Sequence, residues 1–478
     1  MGAIRARRVL IVLLLVCVCF NEICGQVYTI PDVTIQALNP QGIRVSIPAD
    51  PKISLFVFQG NINRKISQED VGTISAEVTS PTNGRWLYEN LTTKLKVGDI
   101  INYYVFVVYD RRGYVKDNLS YTVKELVSPS SNSVDVAECF PTSTVVRNGK
   151  ACAGQIIFED NFDTLREDLW QLEQYIPGEP DYPFVSYQRP PIAPTVSVQG
   201  GYLYIKPILQ QDLPGFSNSS IYTGTLDLFS GCTATATKCL AEAWGASILP
   251  PIASGRVTSR SFAFTYGVVE VRAKLPQGDW LYPDILLESL MKKYGVLNYA
   301  SGVLRIAGSC GNPQLSTVNN EVGNKLLYGG PMLDMGCRNT LLSQKLSNKA
   351  WGEDFHVYVA RWEPERITLS VDGEEWARIE PAASGLQGRF PRTCDLPRSF
   401  LSRGSNMAPF DDHFFLTLGL AAGGITEFSD DLTSGGRPKP WRNSSRKASL
   451  RFWEDLVSWH RTWIQPGLVV DYVRVRAL

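Results

Sequence analysis

From Val27 to Val123 the chain repeats one pattern, a short run rich in Val, Ile, Phe and Tyr closed by Pro, Gly, Asn or Asp. Gly42 to Ile47, Ile53 to Phe58, Gly72 to Thr79, Arg85 to Glu89, Asp99 to Tyr109 and Leu119 to Val123 are such runs. β-branched and aromatic residues set between turn formers read as strands. That many short strands in about 100 residues predict an antiparallel sandwich of immunoglobulin-like kind. Strand patterns return downstream in Phe264 to Pro276, Phe355 to Gly373, Phe414 to Gly424 and Val470 to Leu478, and Asp372-Gly373 is a strong hairpin turn signal. The expected fold is all-β throughout. The expected division is 26–125 for the first sandwich, 126–150 for a linker and 151–478 for a second, larger sandwich. The linker begins with a Ser-Pro-Ser-Ser-Asn-Ser run and has the composition of a tether between modules.

Ahead of these lies Arg5, Arg7 and Arg8, an apolar run from Val9 to Phe20, and the small residues Cys24 and Gly25. This is the layout of a secretory signal peptide over 1–25. The apolar run is shorter than the roughly 20 residues of a spanning helix, so the expected product is soluble and extracellular, with no membrane-spanning segment. Removing Arg5, Arg7, Arg8 and Glu22 leaves 44 basic and 46 acidic residues. So even a balance does not advertise nucleic acid or an anionic membrane as partner.

Cleavage would leave Cys139, Cys152, Cys232, Cys239, Cys310, Cys337 and Cys394. In a secreted chain these read as disulfides with one cysteine over. Cys232 and Cys239 close an obvious small loop, and Cys139 with Cys152 would staple the linker's end. His356, His413 and His460 are scattered, and no metal-ligand spacing occurs. No metal or other cofactor is expected, and no Gly-x-Ser-x-Gly motif supports acyl hydrolysis. Sequons at Asn90, Asn118, Asn218 and Asn443 mark candidate glycans.

The most informative stretch is Gly-Asp-Trp-Leu-Tyr-Pro, Gly278 to Pro283, followed by Ala-Ser-Gly-Val-Leu-Arg-Ile-Ala-Gly-Ser-Cys-Gly-Asn, Ala300 to Asn312. It resembles the catalytic strand of laminarinase-like enzymes of glycoside hydrolase family 16. There the second half reads Ala-Ser-Gly-Glu-Ile-Asp-Ile-Met-Glu-Ser-Arg-Gly-Asn. On that pattern Val303 stands for the nucleophile, Arg305 for the intervening Asp and Gly308 for the acid/base. Retaining glycosidases need two carboxyl groups about 5 Å apart, and valine and glycine supply none. Residues two apart on a strand share a face, so Val303 and Arg305 are expected in the cleft, with position 308 reaching it only through a bulge. The resemblance implies a concanavalin-like jelly roll with a concave cleft, lined by Trp280 and Tyr282, and no catalytic residue. Glu270 and Glu288 are stray acids, the first most simply an ion-paired or solvated face.

The first sandwich resembles the N-terminal module of arthropod β-1,3-glucan recognition proteins. Tyr28-Thr-Ile-Pro, Gly42 to Pro48, Leu55 to Gly60, Asn83-Gly-Arg-Trp86 and Gly113-Tyr114 carry that likeness. Sugar rings offer apolar faces and polar edges, which suit aromatics flanked by carboxylates; Glu77, Trp86 and Tyr104 are the candidates. Where binding members carry Trp, Arg and Asp, this chain has Tyr104, Val115 and Glu77, so strong β-1,3-glucan binding is in question and another microbial polymer is admitted.

Together these features resemble the Gram-negative-bacteria-binding and β-1,3-glucan recognition family. That resemblance implies a secreted innate-immune receptor, in haemolymph, for β-1,3-glucan, peptidoglycan or lipopolysaccharide. Its implied protein partners are a peptidoglycan recognition protein and an extracellular serine protease leading to Toll activation or melanisation. Two rivals are a glycosidase using displaced carboxylates such as Glu270 or Glu288, and an adaptor that binds only proteins.

Overall fold

The computed structural model describes residues 28–39, 41–67, 72–82, 84–90, 93–127, 139–147 and 149–478; the expected signal peptide lies outside them. The chain divides into two compact units, Met1–Ala137 and Glu138–Leu478.

The first unit is a sandwich of a three-stranded and a four-stranded antiparallel sheet. Its strands are β1 (Thr34–Ala37), β2 (Ile43–Pro48), β3 (Ile53–Ile62), β4 (Ile74–Val78), β5 (Arg85–Asn90), β6 (Ile100–Tyr109) and β7 (Arg112–Thr122). The sheets run β1-β2-β5 and β4-β3-β6-β7. Alternation does the sorting: Ile43, Val45, Ile47, Phe56, Phe58, Val105 and Val107 go inward and form one core. The expected Leu119 to Val123 run is only the end of β7. The first half of β7 carries Arg112, Lys116, Asp117 and Asn118, the polar marking of an edge strand, which hides it from an apolar pattern. Asp110 and Arg111, at φ 47° and 62°, make the tight turn that pairs it with β6.

The second unit packs a nine-stranded sheet on an eight-stranded one around a single large core. The nine-stranded sheet places Arg256–Thr258, Phe414–Ala422, Leu281–Ser289, Val303–Gly308 and Leu326–Met332 side by side. On the Phe414–Ala422 strand, Phe414, Leu416, Leu418 and Leu420 belong to the core, while Phe415 and Thr417 are buried although they take the opposite side of the pleat. Burial on both faces means that this sheet's outer surface is sunk beneath loops. In the other sheet Asp372 and Gly373, at φ 52° and 83°, form the turn expected there.

Of the span read as linker, 126–150, residues 128–138 and 148 lie outside the described residues. Val127 bridges to Leu38 in the first unit. Val145–Val146 pairs with Phe264–Thr265, and Thr144 accepts from the Leu478 N–H, in the second. Cys139–Cys152, Cys232–Cys239 and Cys337–Cys394 are disulfides, and Cys310 is a buried free thiol. No helix among the described residues is long and apolar enough to cross a membrane.

Candidate functional site

A cleft of about 710 Å³ opens on the outer face of the nine-stranded sheet. The Leu281–Ser289 strand sends Tyr282, Asp284, Leu286 and Glu288 into it, every second residue. Val303 and Arg305 enter from the next strand, Arg256 and Phe415 from the strands on the other side, Tyr187 from the short strand Val185–Tyr187 and Tyr175 from the segment bridged to it.

The floor is built on buried charge. Arg256 donates from Nη1 to Asp284 and from Nη2 to Glu288, each at 2.6 Å. Thr417 donates its hydroxyl to the same Glu288 carboxylate. Arg305 forms a two-point pair with Glu427 at 2.7 and 3.2 Å, and Arg338 reaches the other side of Glu427 at 2.8 Å. Burial pushes the Asp284 carboxyl above the usual range in spite of Arg256. Burial also works to raise Glu288 and Glu427, but Arg256 together with the Thr417 hydroxyl outweighs it at the first, and Arg305 and Arg338 together with the Tyr328 hydroxyl at the second, so both lie below it. Asp284 and Glu288, the two acids on the cleft floor, are thus already paired with arginine. Such a floor offers fixed donors and acceptors to a neutral polyol.

Val303, Arg305 and Gly308 fall together on one strand. Val303 and Arg305 line the cavity, as expected. The pairing slips between Arg305 and Gly308 against Leu326–Met332, which is the bulge required to turn position 308. A Cβ at Gly308 would lie 2.8 Å from Tyr328 Cε2 and 2.9 Å from Arg305 Cδ. Arg305 and Tyr328 therefore occupy the space that a longer side chain at 308 would use. Gly308→Glu is expected to lose about 1–3 kcal/mol from overpacking, and Val303→Glu/Gly308→Glu to stay inactive while Arg305 remains. Reducing-end release from laminarin by that double variant would contradict this.

Other candidates are placed differently. Trp280 does not line the cleft. It is 2 % exposed and packs edge-on to Phe428 and Trp441, because its φ of 65° turns the ring into the core. Tyr282 lines the cavity but is 4 % exposed. Trp86 is a correction of the same kind: on β5 it faces the first unit's core at 2 % exposure, so its ring meets no ligand. Glu270 lies in the other sheet, accepting from Tyr472 at 2.7 Å near Arg474. Glu288 is in the cleft but bound to Arg256.

On the first unit, Glu77 and Tyr104 do share the outer face of the four-stranded sheet. Glu77 opposes Val57, which opposes Phe106, which opposes Val115, while Tyr104 opposes Gln59 one step along. Glu77 and Val115 are exposed; Tyr104 and Phe106 are half-buried. Among the sequons, Asn118 and Asn218 are exposed. Asn90 donates to the Tyr88 hydroxyl at 3.1 Å. Half-buried Asn443 donates its amide nitrogen to the Phe428 carbonyl at 2.8 Å and accepts at its oxygen from buried Lys439 at 2.6 Å. The grouping of Asp334, Cys337 and Cys394 offers no thiolate, since its sulfurs are joined to each other.

Sequence reasoning missed Arg256, Asp284, Glu427, Arg338, Tyr175 and Tyr187. Asp284 was readable from the period-two face shared with Tyr282. The others come from remote segments and have no local signal.

Two all-β units, one an immunoglobulin-like sandwich and one a jelly roll with a sunken cleft, define a two-module class of sandwich proteins. A family model described as a carbohydrate binding domain (family 32), CBM39, matches residues 29–138. A β-1,3-glucan-binding protein of Hyphantria cunea is 58 % identical, over 99 % of this chain and 100 % of that one. β-1,3-Glucan-binding protein 1 of Galleria mellonella is 36 % identical over 95 % and 97 %, and Gram-negative bacteria-binding protein 1 of Drosophila melanogaster 33 % over 95 % and 96 %. This chain belongs to the family of β-1,3-glucan-binding and Gram-negative bacteria-binding proteins. Among solved structures, the laminarinase from Rhodothermus marinus aligns at a TM-score of 0.42 and 20 % identity, over 68 % of this chain and 98 % of that one.

Proposed function

We propose that this protein is a secreted pattern-recognition receptor that binds microbial wall polysaccharide and does not hydrolyse it. The observation that carries the reading is the cleft floor, where Val303, Arg305 and Gly308 stand at the resembled catalytic positions and Asp284 and Glu288 are both held by Arg256. A retaining mechanism needs one carboxylate free to attack and one group able to cycle its proton. Asp284 and Glu288 share a single guanidinium, which stabilises their anions in the resting state and opposes both roles. The relatives' names support a glucan or bacterial surface as ligand, and Glu77 with Tyr104 forms the candidate face on the first unit. Two modules on one chain would raise avidity for a repeating polymer through effective concentration. Engagement would pass to a peptidoglycan recognition protein and an extracellular serine protease.

The test is pull-down on curdlan, peptidoglycan and lipopolysaccharide alongside an assay for released reducing ends. Retention on at least one polymer with no sugar release is expected. Release by multiple turnover that Glu288→Gln abolishes would make the protein an enzyme. Failure on all three polymers would make it a protein-only adaptor.

A further inference from the structure

The cleft is crossed by a bridge. Its ligand-facing residues lie in rows that run from strand to strand: Phe415, Glu288, Val303 and Met332 are consecutive pairing partners, so the groove lies across the strands. Residues 290–302 leave the sheet after Ser289 and re-enter at Val303, at one end of two paired strands. From this connection the Tyr299 hydroxyl donates to Asp181. Asp181 belongs to the opposite margin: its carbonyl accepts from the Ile425 N–H at 3.4 Å, and nearby Phe184 bonds to Ala422, the partner of Leu281 at the other strand end. The Tyr299–Asp181 bond therefore runs along the strands and across the groove, and both residues line the cavity.

The bridge is held from both sides. Thr426 donates to the Asp181 carboxylate at 3.0 Å, and Arg338 lies 3.8 Å from it. Within the connection, Tyr294 N–H donates to Ser301 Oγ at 2.9 Å and Ser301 to the Gly295 carbonyl at 2.7 Å. Asn298 and Tyr299 are both left-handed, at φ 53° and 60°. Two successive non-glycine residues there cost energy that the surrounding contacts must offset, and such strain collects where a side chain has to be aimed.

We propose that the Tyr299–Asp181 bridge makes the groove blind beside Arg305, so that it accepts the terminus of a saccharide chain and excludes its interior. The terminus enters from the side of Arg256, Tyr175, Tyr187 and Phe415. This inference rests on the reading of the cleft as a saccharide site.

The test is hydrogen–deuterium exchange on the full chain, read in peptides covering 253–260 and 290–302. The probes are linear laminarihexaose and a cyclic β-1,3-linked glucan, which has no ends. The linear probe should protect both peptides and the cyclic one neither. Tyr299→Phe keeps the ring and removes the bridging hydroxyl; it should gain about tenfold in affinity for the cyclic probe, the order of one hydrogen bond's net strength. Equal protection by both probes, or none in these peptides while polymer is still retained in pull-down, would overturn the bridge's role. A Tyr299→Phe variant that still rejects the cyclic probe would do the same. Loss of all polymer retention would instead remove the proposed function itself.

Discussion

Glu427→Gln should lower the stability of the second unit by about 3–5 kcal/mol, read as a shift of its denaturant midpoint at neutral pH. The carboxylate is the shared counter-charge of Arg305 and Arg338, which are 3 % and 7 % exposed. Glutamine keeps the shape but leaves two buried cations facing each other. Nε of each arginine already lacks a partner, so neither can recover the lost bonds by a small rotation. The pH dependence separates this from simple misfit. Glu427 lies below its ordinary value of 4.5 in the fold, so the unfolded chain takes up the proton first on acidification. The stabilisation is complete above that ordinary value and is lost as pH falls through the folded one. Its slope, at most about 1.4 kcal/mol per pH unit, should be missing from the variant. A variant as stable as the parent at neutral pH would show that the cluster contributes nothing.

Arg256→Met should cost a similar amount, about 3–5 kcal/mol, with the opposite pH signature. It strands Asp284 and Glu288, two buried carboxylates whose one guanidinium partner spans both at 2.6 Å. Asp284 already titrates above its ordinary value because of burial, and Glu288 is below its own through Arg256. Without the arginine both folded values rise above the unfolded ones. Their contribution is then intact below the unfolded values and is lost as pH rises through the folded ones. The deficit should accordingly be greatest at neutral pH and shrink towards acid. A deficit of constant size from neutral to acid pH would assign the loss to the missing side-chain packing.

Much of the architecture was legible because strands advertise themselves by alternation. The runs at Ile53 to Phe58 and Asp99 to Tyr109, and the Asp372-Gly373 turn, all fell where the structure has them. What alternation cannot say is which of two faces meets water. That is why Trp86 and Trp280, attractive as stacking platforms, turned out to be core: Trp86 takes the inward side of β5, and Trp280, in the turn before Leu281, has a left-handed backbone. The cleft was legible in outline through Val303 and Arg305 and the bulge before Gly308, but its electrostatics were not. Arg256 meets residues 28 and 32 positions away and Arg305 one 122 positions away, distances at which sequence carries no pairing signal.

By itself the sequence determined the strands, the family and which side chains stand at Val303, Arg305 and Gly308, because each of these is a local pattern or a residue type. Only the tertiary structure decided that an arginine in that place would be matched by Glu427, that Asp284 and Glu288 would share Arg256, and that Tyr299 would reach Asp181 across the groove. Those contacts join segments far apart along the chain. Their energies depend on burial and distance, which exist only once the sheets have closed around them.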